Sequence, residues 1–350
     1  MVKRVVFAVP GSLDTPTGGY AYDRRIIAEL RHLGWEVDYL DIGEGFPAPD
    51  EATRAAARAL LAAIPAGRPI VLDGLALGVL PDIAAELASR HPLVALVHHP
   101  LALESGLTTE RADALRRSER AALAEVREVV VTSPATAKLV ASDYGVPAER
   151  ITVARPGNDP VPLSAREPND IPHLLSVGSV VPRKGFDILV SALAMLADIP
   201  WRLTIVGDLT RDPSEAAKLQ DLISRHRLTG HIETTGAVAH SHLATLYGKA
   251  DLFVLASRFE GYGMAYAEAL SHGLPVIGTT AGAIPDTIPQ GAGLLVAPDD
   301  IAALAAALRR VIVDTDERRR LSAAALAAAR TLPTWQDSAA IFAATLERLA

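Results

Sequence analysis

Residues 251–275 read DLFVLASRFEGYGMAYAEALSHGLP. The first six, Asp251 to Ala256, are an apolar run of the kind that forms a buried parallel strand. Glu260 and the glycines Gly261 and Gly263 follow. A helix is predicted from about Met264; it carries Glu268 and ends at Gly273 and Pro275. The two glutamates are eight positions apart, one in a loop and one on a helix, so helical periodicity does not relate them. A glycine-rich turn between them is what would aim both at one cleft. Strand, glycine loop and helix N-terminus, in that order, commonly hold a phosphorylated ligand.

The same alternation runs outward in both directions. Upstream, strands are predicted at 2–9, 36–40, 69–72, 93–97, 129–132 and 151–154, with helices between them. Five prolines then fall between Pro156 and Pro172 with little apolar periodicity, which reads as a linker. Strands resume at 173–177, 201–206, 232–235, 251–255, 275–278 and 293–296, and the tail is helical and rich in alanine. The fold class expected is α/β: two doubly wound, Rossmann-like domains. The expected limits are 1–160, a linker at 161–172, a second domain at 173–333, and a final helix at 334–350. Two such sheets would face a cleft at the carboxyl ends of their strands.

Composition narrows the function classes. Of 350 residues, 49% are hydrophobic and only 5% aromatic, so aliphatic side chains and alanine must build the cores. The absence of cysteine excludes disulfides, thiolate metal sites and a cysteine nucleophile. A net charge of −7 argues against general nucleic-acid binding. The start, MVKRVVFAVPGS, is too short an apolar run for a secretion signal, and no run approaches a membrane span, so a cytoplasmic protein is expected.

Four features carry chemistry. Arg183 and Lys184 follow a strand that ends near Gly178 and precede Gly185. A planar fork beside a point charge suits a diphosphate, although an adjacent Arg-Lys pair is most often merely exposed. Gly18 and Gly19 open a helix whose amides an anion can approach without side-chain obstruction. His98 and His99 follow the strand LVALV, where a histidine can meet a substrate hydroxyl or serve as acid or base. No carboxylate stands near them at metal-ligand spacing. Glu268 can accept both hydroxyls of a ribose. An exposed surface charge is a poor reading for it, because Ala265, Ala267, Ala269 and Leu270 make its helix mostly buried. The balanced charges of 110–128 and the arginine runs near 309 and 318 read as solvated helix faces. Walker A, GxSxG, HExxH, GxGxxG and Asp-x-Asp patterns are absent.

Taken together, these residues resemble the retaining glycosyltransferases of family 4, which have the GT-B fold. The likeness spans most of the chain. It rests on the amino-terminal Gly-Gly helix, GSVVPRKGFDILVSAL (178–193), VGD (206–208), GAVAHSHLATLYGKADLFVLASRFEGYGMAYAEALSHGLPVIGTTAGAIPD (236–286) and GLLVAPDD (293–300). EGYGMAYAE looks like that family's paired-glutamate motif, with seven residues between the acids.

The resemblance implies a retaining hexosyl transfer from a UDP- or GDP-linked sugar to an acceptor hydroxyl, with no metal and no other cofactor. Arg183 and Lys184 would bind the diphosphate and Glu268 the ribose. Glu260 and the segment Gly261, Tyr262, Gly263 and Met264 would meet the sugar and phosphates. Gly19 would approach the phosphate, His98 or His99 the donor sugar, with His98 favoured, and Val238 would flank the base. The last helix would cross back to the first domain. AGAIPD (281–286) departs from the family, which more often has a glycine pair followed by glutamate.

Saccharide, lipid and small-molecule acceptors all stay open. A lipid acceptor would bring the protein to the inner face of the cell membrane, though no basic amphipathic helix is evident. A GT-B epimerase or hydrolase, or a nucleotide-sugar-binding protein without turnover, would share the donor site. An NAD-dependent enzyme is a distant third, because its fingerprint is missing.

Overall fold

The computed structural model describes residues 3–161 and 170–349. Residues 162–169 of the expected linker lie outside the described residues. The chain forms two compact units, 1–157 together with 333–350, and 158–332.

The first unit holds β1 (Arg4–Val9), β2 (Glu36–Asp41), β3 (Ile70–Asp73), β4 (Leu93–Val97), β5 (Glu128–Val131) and β6 (Ile151–Val153). They form one parallel sheet in the order β2-β1-β3-β4-β5-β6. The second unit holds β7 (His173–Val177), β8 (Arg202–Val206), β9 (Ile232–Gly236), β10 (Leu252–Val254), β11 (Val276–Thr279) and β12 (Gly293–Val296). Its parallel sheet runs β12-β11-β10-β7-β8-β9.

Helices cover both faces, so the central strands are apolar runs rather than alternating ones. All of β4, LVALV, is buried. Leu72, Ala95, Val97 and Val129 join one core, and Leu174, Leu189, Phe253 and Ile277 the other. Both aromatic-poor cores are thus closed by branched aliphatics and alanine.

The final helix, Trp335–Glu347, belongs to the first unit. A capping box between Thr334 and Asp337 starts it. Phe342 then packs on Phe7 of β1 with ring centroids 5.8 Å apart, and Trp335 meets Tyr22 edge-on at 6.0 Å.

Two four-residue helices, Gly74–Leu77 and Ile284–Thr287, are additions to the pattern expected from sequence. One turn is too short to show a period. The first starts because the Asp73 side chain accepts from Leu75 N, a local cap.

In each sheet the strand order reverses once, between β1 and β3 and between β7 and β10. The loops leaving the carboxyl ends of those strands form a crevice in any open α/β sheet. The segments after β1, β7 and β10 carry Gly18 and Gly19, Arg183 and Lys184, and Glu260, while His98 and His99 follow the adjacent β4.

Candidate active site

In the second unit, the reversal point lies between the loop after β7 and the loop after β10. The first loop makes a single 3-10 turn, Pro182–Lys184, and Gly185 leaves it with φ 65°. A side chain at Gly185 would put its Cβ 2.0 Å from the Ala256 carbonyl oxygen, so glycine is required by conformation and by space.

That close approach brings the two loops together. Lys184 Nζ lies 2.7 Å from Glu260 Oε1, and Arg183 Nη1 lies 3.4 Å from Glu260 Oε2. Ser257 Oγ donates to Glu260 Oε1 at 2.7 Å, and Arg183 also donates to the Phe259 carbonyl at 2.9 Å. The Lys184 stem runs beside Gly178, where a Cβ would meet its Cε at 3.1 Å.

Glu260 is only 6% exposed. Burial alone would raise its pKa, but Lys184 and Arg183 outweigh burial and hold the carboxyl down at about 2. The acid expected to meet a sugar is therefore also the counter-ion of the two cations. The AGA loop closes over it, with Ala283 N donating to the Glu260 carbonyl at 2.9 Å.

Gly263, with φ 90°, begins the helix Met264–Ser271, and no side chain caps its first amides. Tyr262 precedes that turn and is buried. The helix N-terminus therefore points backbone dipoles at the reversal point.

One turn on, Glu268 is half-buried, and its Oε2 accepts from Tyr247 Oη at 2.9 Å. Burial raises the Glu268 pKa; Tyr247 and His240 oppose the shift, while Asp159 adds to it. Val238 lies two residues before His240 and is partly buried against the core.

In the first unit, the helix that follows β1, the end of β3 and the loop after β4 meet. His98 Nε2 lies 3.1 Å from Asp23 Oδ1 and 3.3 Å from Asp73 Oδ2. Asp23 and Asp73 are 1% and 4% exposed. Tyr22 stands edge-on to the His98 ring at 5.3 Å. Gly19 lies against the same ring, where a Cβ would come within 3.4 Å of Cδ2. Gly18, the residue before it, opens the helix Gly18–His32.

This corrects the expectation that no carboxylate stands near the histidine pair. Asp23 and Asp73 are distant in sequence, and the reversal of strand order brings them in. The three groups offer ligand atoms within 4.8 Å of one another. A proton on His98 Nε2 meets both carboxylates in the same geometry.

Burial would depress the His98 pKa, but Asp23 and Asp73 outweigh it and raise it to about 10. Burial also raises Asp23, opposed by His98. The two carboxylates thus favour the protonated form of the His98 ring. His99 turns elsewhere, with its Nε2 3.4 Å from Glu104 Oε2. The turn that follows is pinned by buried Glu119, which accepts from Leu101 N at 2.9 Å.

Sequence reasoning did not find Ser257, Arg258, Tyr247, Asp23 or Asp73. Ser257 and Arg258 stand inside the motif itself, so their signal was present. Tyr247 lies within the 236–286 stretch but on a separate helix, and Asp23 and Asp73 lie on elements of the first unit where each looks like an ordinary polar residue.

Two family profiles cover most of the chain: "Glycosyl transferases group 1" matches residues 164–327, and "Glycosyltransferase Family 4" matches 55–162. An MMP alpha-(1->4)-mannosyltransferase of Mycolicibacterium hassiacum is 28% identical over 75% of this chain and 66% of its own length. A D-inositol 3-phosphate glycosyltransferase of Pseudarthrobacter chlorophenolicus is 32% identical over 59% of this chain and 53% of its own. The chain spans between 38% and 66% of the length of these first curated relatives.

Among solved structures, sucrose-phosphate synthase from Thermosynechococcus elongatus superposes with a TM-score of 0.85 at 20% identity, over 99% of both chains. Anabaena HepE, solved with UDP-glucose, superposes at 0.78 and 20% identity, again over 99% of both. Those two likenesses establish the GT-B fold, and the two family profiles, which together run from residue 55 to residue 327, show that the chain belongs to the group 1, family 4 glycosyltransferases.

Proposed function

We propose that the protein is a retaining, metal-independent glycosyltransferase that moves a sugar from a nucleoside-diphosphate sugar to an acceptor hydroxyl. The observation that carries this reading is the node at the β7/β10 reversal point. Two cations, a buried carboxylate and an uncapped helix N-terminus converge there.

Departure of a nucleoside diphosphate builds negative charge on the β-phosphate and positive charge on the sugar ring. Arg183, Lys184 and the amides of Gly261 to Met264 stabilise the first charge. Such preorganised electrostatics are usually the largest catalytic contribution. Glu260 orients the cations and stays ionised beside the sugar. Glu268 receives the ribose, with Tyr247 fixing one of its oxygens. Val238 flanks the base. We assign His98, whose protonated form Asp23 and Asp73 favour, to the donor sugar, and Gly19 to the phosphate. The acceptor proton passes to the leaving phosphate, so no side chain need act as nucleophile.

Relatives carry the names mannosylfructose-phosphate synthase and D-inositol 3-phosphate glycosyltransferase, which makes phosphorylated small molecules the first acceptors to try. Among the described residues, no helix is long and apolar enough to cross a membrane. We read the protein as acting in the cytoplasm.

A thermal-shift screen of UDP-, GDP- and ADP-linked sugars tests the donor, because a tight ligand raises apparent stability by mass action. The donor that binds is then offered with an acceptor panel that includes D-inositol 3-phosphate. Nucleotide release that depends on acceptor supports transfer. Release without any acceptor favours a hydrolase, and stabilisation by no nucleotide sugar overturns the reading.

A further inference from the structure

Arg258 stands between Ser257 and Glu260 but points away from them. Its Nε donates to Asp299 Oδ1 at 2.7 Å. Its Nη1 and Nη2 form a fork on Asp187, at 3.0 and 2.7 Å, and Nη1 also reaches the Pro182 carbonyl. Its backbone N–H donates to the Arg183 carbonyl at 2.8 Å.

One residue thus joins three strand-end loops. Pro182 and Arg183 lie in the turn after β7, and Asp187 lies in the first turn of the helix Phe186–Ala194. Asp299 lies between β12 and the helix Ile301–Val313. The span crosses β11 in the sheet order.

Asp299 adds an independent observation. Its φ is 61°, a left-handed conformation that residues other than glycine, asparagine and aspartate seldom take. The neighbouring Asp300 serves as the cap of the following helix, accepting from Ala303 N at 2.8 Å. Asp299 is therefore not needed as that cap. From this left-handed backbone its carboxylate meets Arg258.

Charge decides between two roles for Arg258. It could bind a phosphate itself, or it could brace the residues that do. Its three nitrogens are already engaged by two carboxylates and a carbonyl. Arg183 and Lys184 both reach the carboxylate of Glu260. A guanidinium held on all three nitrogens is placed to brace its neighbours rather than to receive a ligand. A planar fork on fixed acceptors also sets geometry in a way that an ammonium cannot.

We propose that Arg258 is a positioning residue that holds the Arg183–Lys184 turn in its diphosphate-binding shape, with Asp299 as its orienting partner. The phosphate part rests on the donor-site reading above.

The test uses the full chain, as wild type, R258K and D299N. Calorimetry measures UDP, GDP and ADP against uridine, guanosine and adenosine. Hydrogen exchange without ligand follows residues 180–186. R258K keeps the charge and loses the fork. It is expected to weaken the diphosphate that wild type binds by about tenfold, leave the nucleoside unchanged and speed exchange at 180–186. D299N, the milder change, is expected to weaken the diphosphate by about threefold.

Equal diphosphate affinity in R258K and wild type overturns the proposal. So do equal losses on nucleoside and diphosphate, which mark a general loss of structure, and so does unchanged exchange at 180–186. If wild type binds none of the three diphosphates, the donor-site reading fails. The brace is then judged on exchange alone, where faster exchange in R258K supports it and unchanged exchange overturns it.

Discussion

Lys184 Nζ lies 2.7 Å from Glu260 Oε1, across 76 residues of chain. Both side chains are largely withdrawn from solvent, at 15% and 8% exposure, so water screens the pair weakly. The carboxylate holds the ammonium in place before any ligand arrives, which removes an ordering cost from binding. Lys184→Ala removes the charge proposed to meet the diphosphate and also takes the nearer cation from a buried carboxylate, since Arg183 is 3.4 Å away. The expected result is a fall in turnover of about a hundredfold or more, and a stability loss of about 3 kcal/mol. Steady-state rates and urea melts check the two separately. Near wild-type turnover would remove Lys184 from the phosphate site.

The same pair makes stability depend on acid. The Glu260 pKa is lowered from 4.5 to about 2 in the folded state, through Lys184 and Arg183 acting against burial. A depressed carboxylate stabilises fully above its unfolded value and loses that contribution as pH falls toward the folded value. The difference amounts to roughly 3 kcal/mol. Urea midpoints measured from pH 6 to pH 3 should fall more steeply for wild type than for Glu260→Gln. Parallel slopes would show that the ion pair does not hold Glu260 ionised.

Glu268 offers a test of ligand chemistry rather than charge. Tyr247 occupies its Oε2 at 2.9 Å, which sets the orientation of the carboxylate. If the ribose hydroxyls sit there, Glu268→Ala should weaken nucleotide binding by about tenfold. It should also abolish any preference for the ribonucleotide over its 2′-deoxy form. Calorimetry with UDP and 2′-deoxy-UDP, or the guanine pair, measures both. A mutant with unchanged affinity refutes the ribose role.

Much of this arrangement was readable in the chain because it is local. LVALV and HLLSV are apolar runs, and they are β4 and β7 to the residue. Gly185 and Gly263 mark the turns because a positive φ leaves few alternatives to glycine. The ties that assemble the site are not local. The pairing of Lys184 with Glu260 depends on β7 and β10 being neighbours, a fact of strand order rather than of any window of sequence. Asp23, Asp73 and His98 come from a helix and two strand ends, and each alone looks like an ordinary polar residue. Arg258 was visible inside the motif, but its partners Asp187 and Asp299 were not.

A metal bears on the first unit. Asp23, Asp73 and His98 form a donor set by proximity, yet one proton on Nε2 meets the same contacts. If the proton occupies that place, EDTA should leave turnover unchanged at neutral pH and added Mg²⁺ should not raise it. A strict divalent-ion requirement in the rate assay would show that the three groups, or the diphosphate, need an ion.

The protonation of His98 makes the sharpest prediction. Its pKa is raised from 6.5 to about 10, because Asp23 and Asp73 together outweigh burial. The groups facing it are Asp23 and the Tyr22 ring from the helix Gly18–His32, and Asp73 from the end of β3. A raised imidazole stabilises fully below its unfolded value of 6.5, and that contribution is lost only as pH rises through the folded value. If His98 works as a cation, kcat/KM should not fall between pH 6 and pH 8.5, the interval in which an ordinary histidine loses its charge. Asp73→Asn removes one of the two charges that hold the proton, so its profile should bend downward at a lower pH than that of wild type. The mutant also loses affinity for the proton without losing the cap, since an asparagine oxygen still accepts from Leu75 N. A wild-type rate that declines with an apparent pKa near the ordinary histidine value would show that His98 is neutral when it acts, as a base rather than a donor.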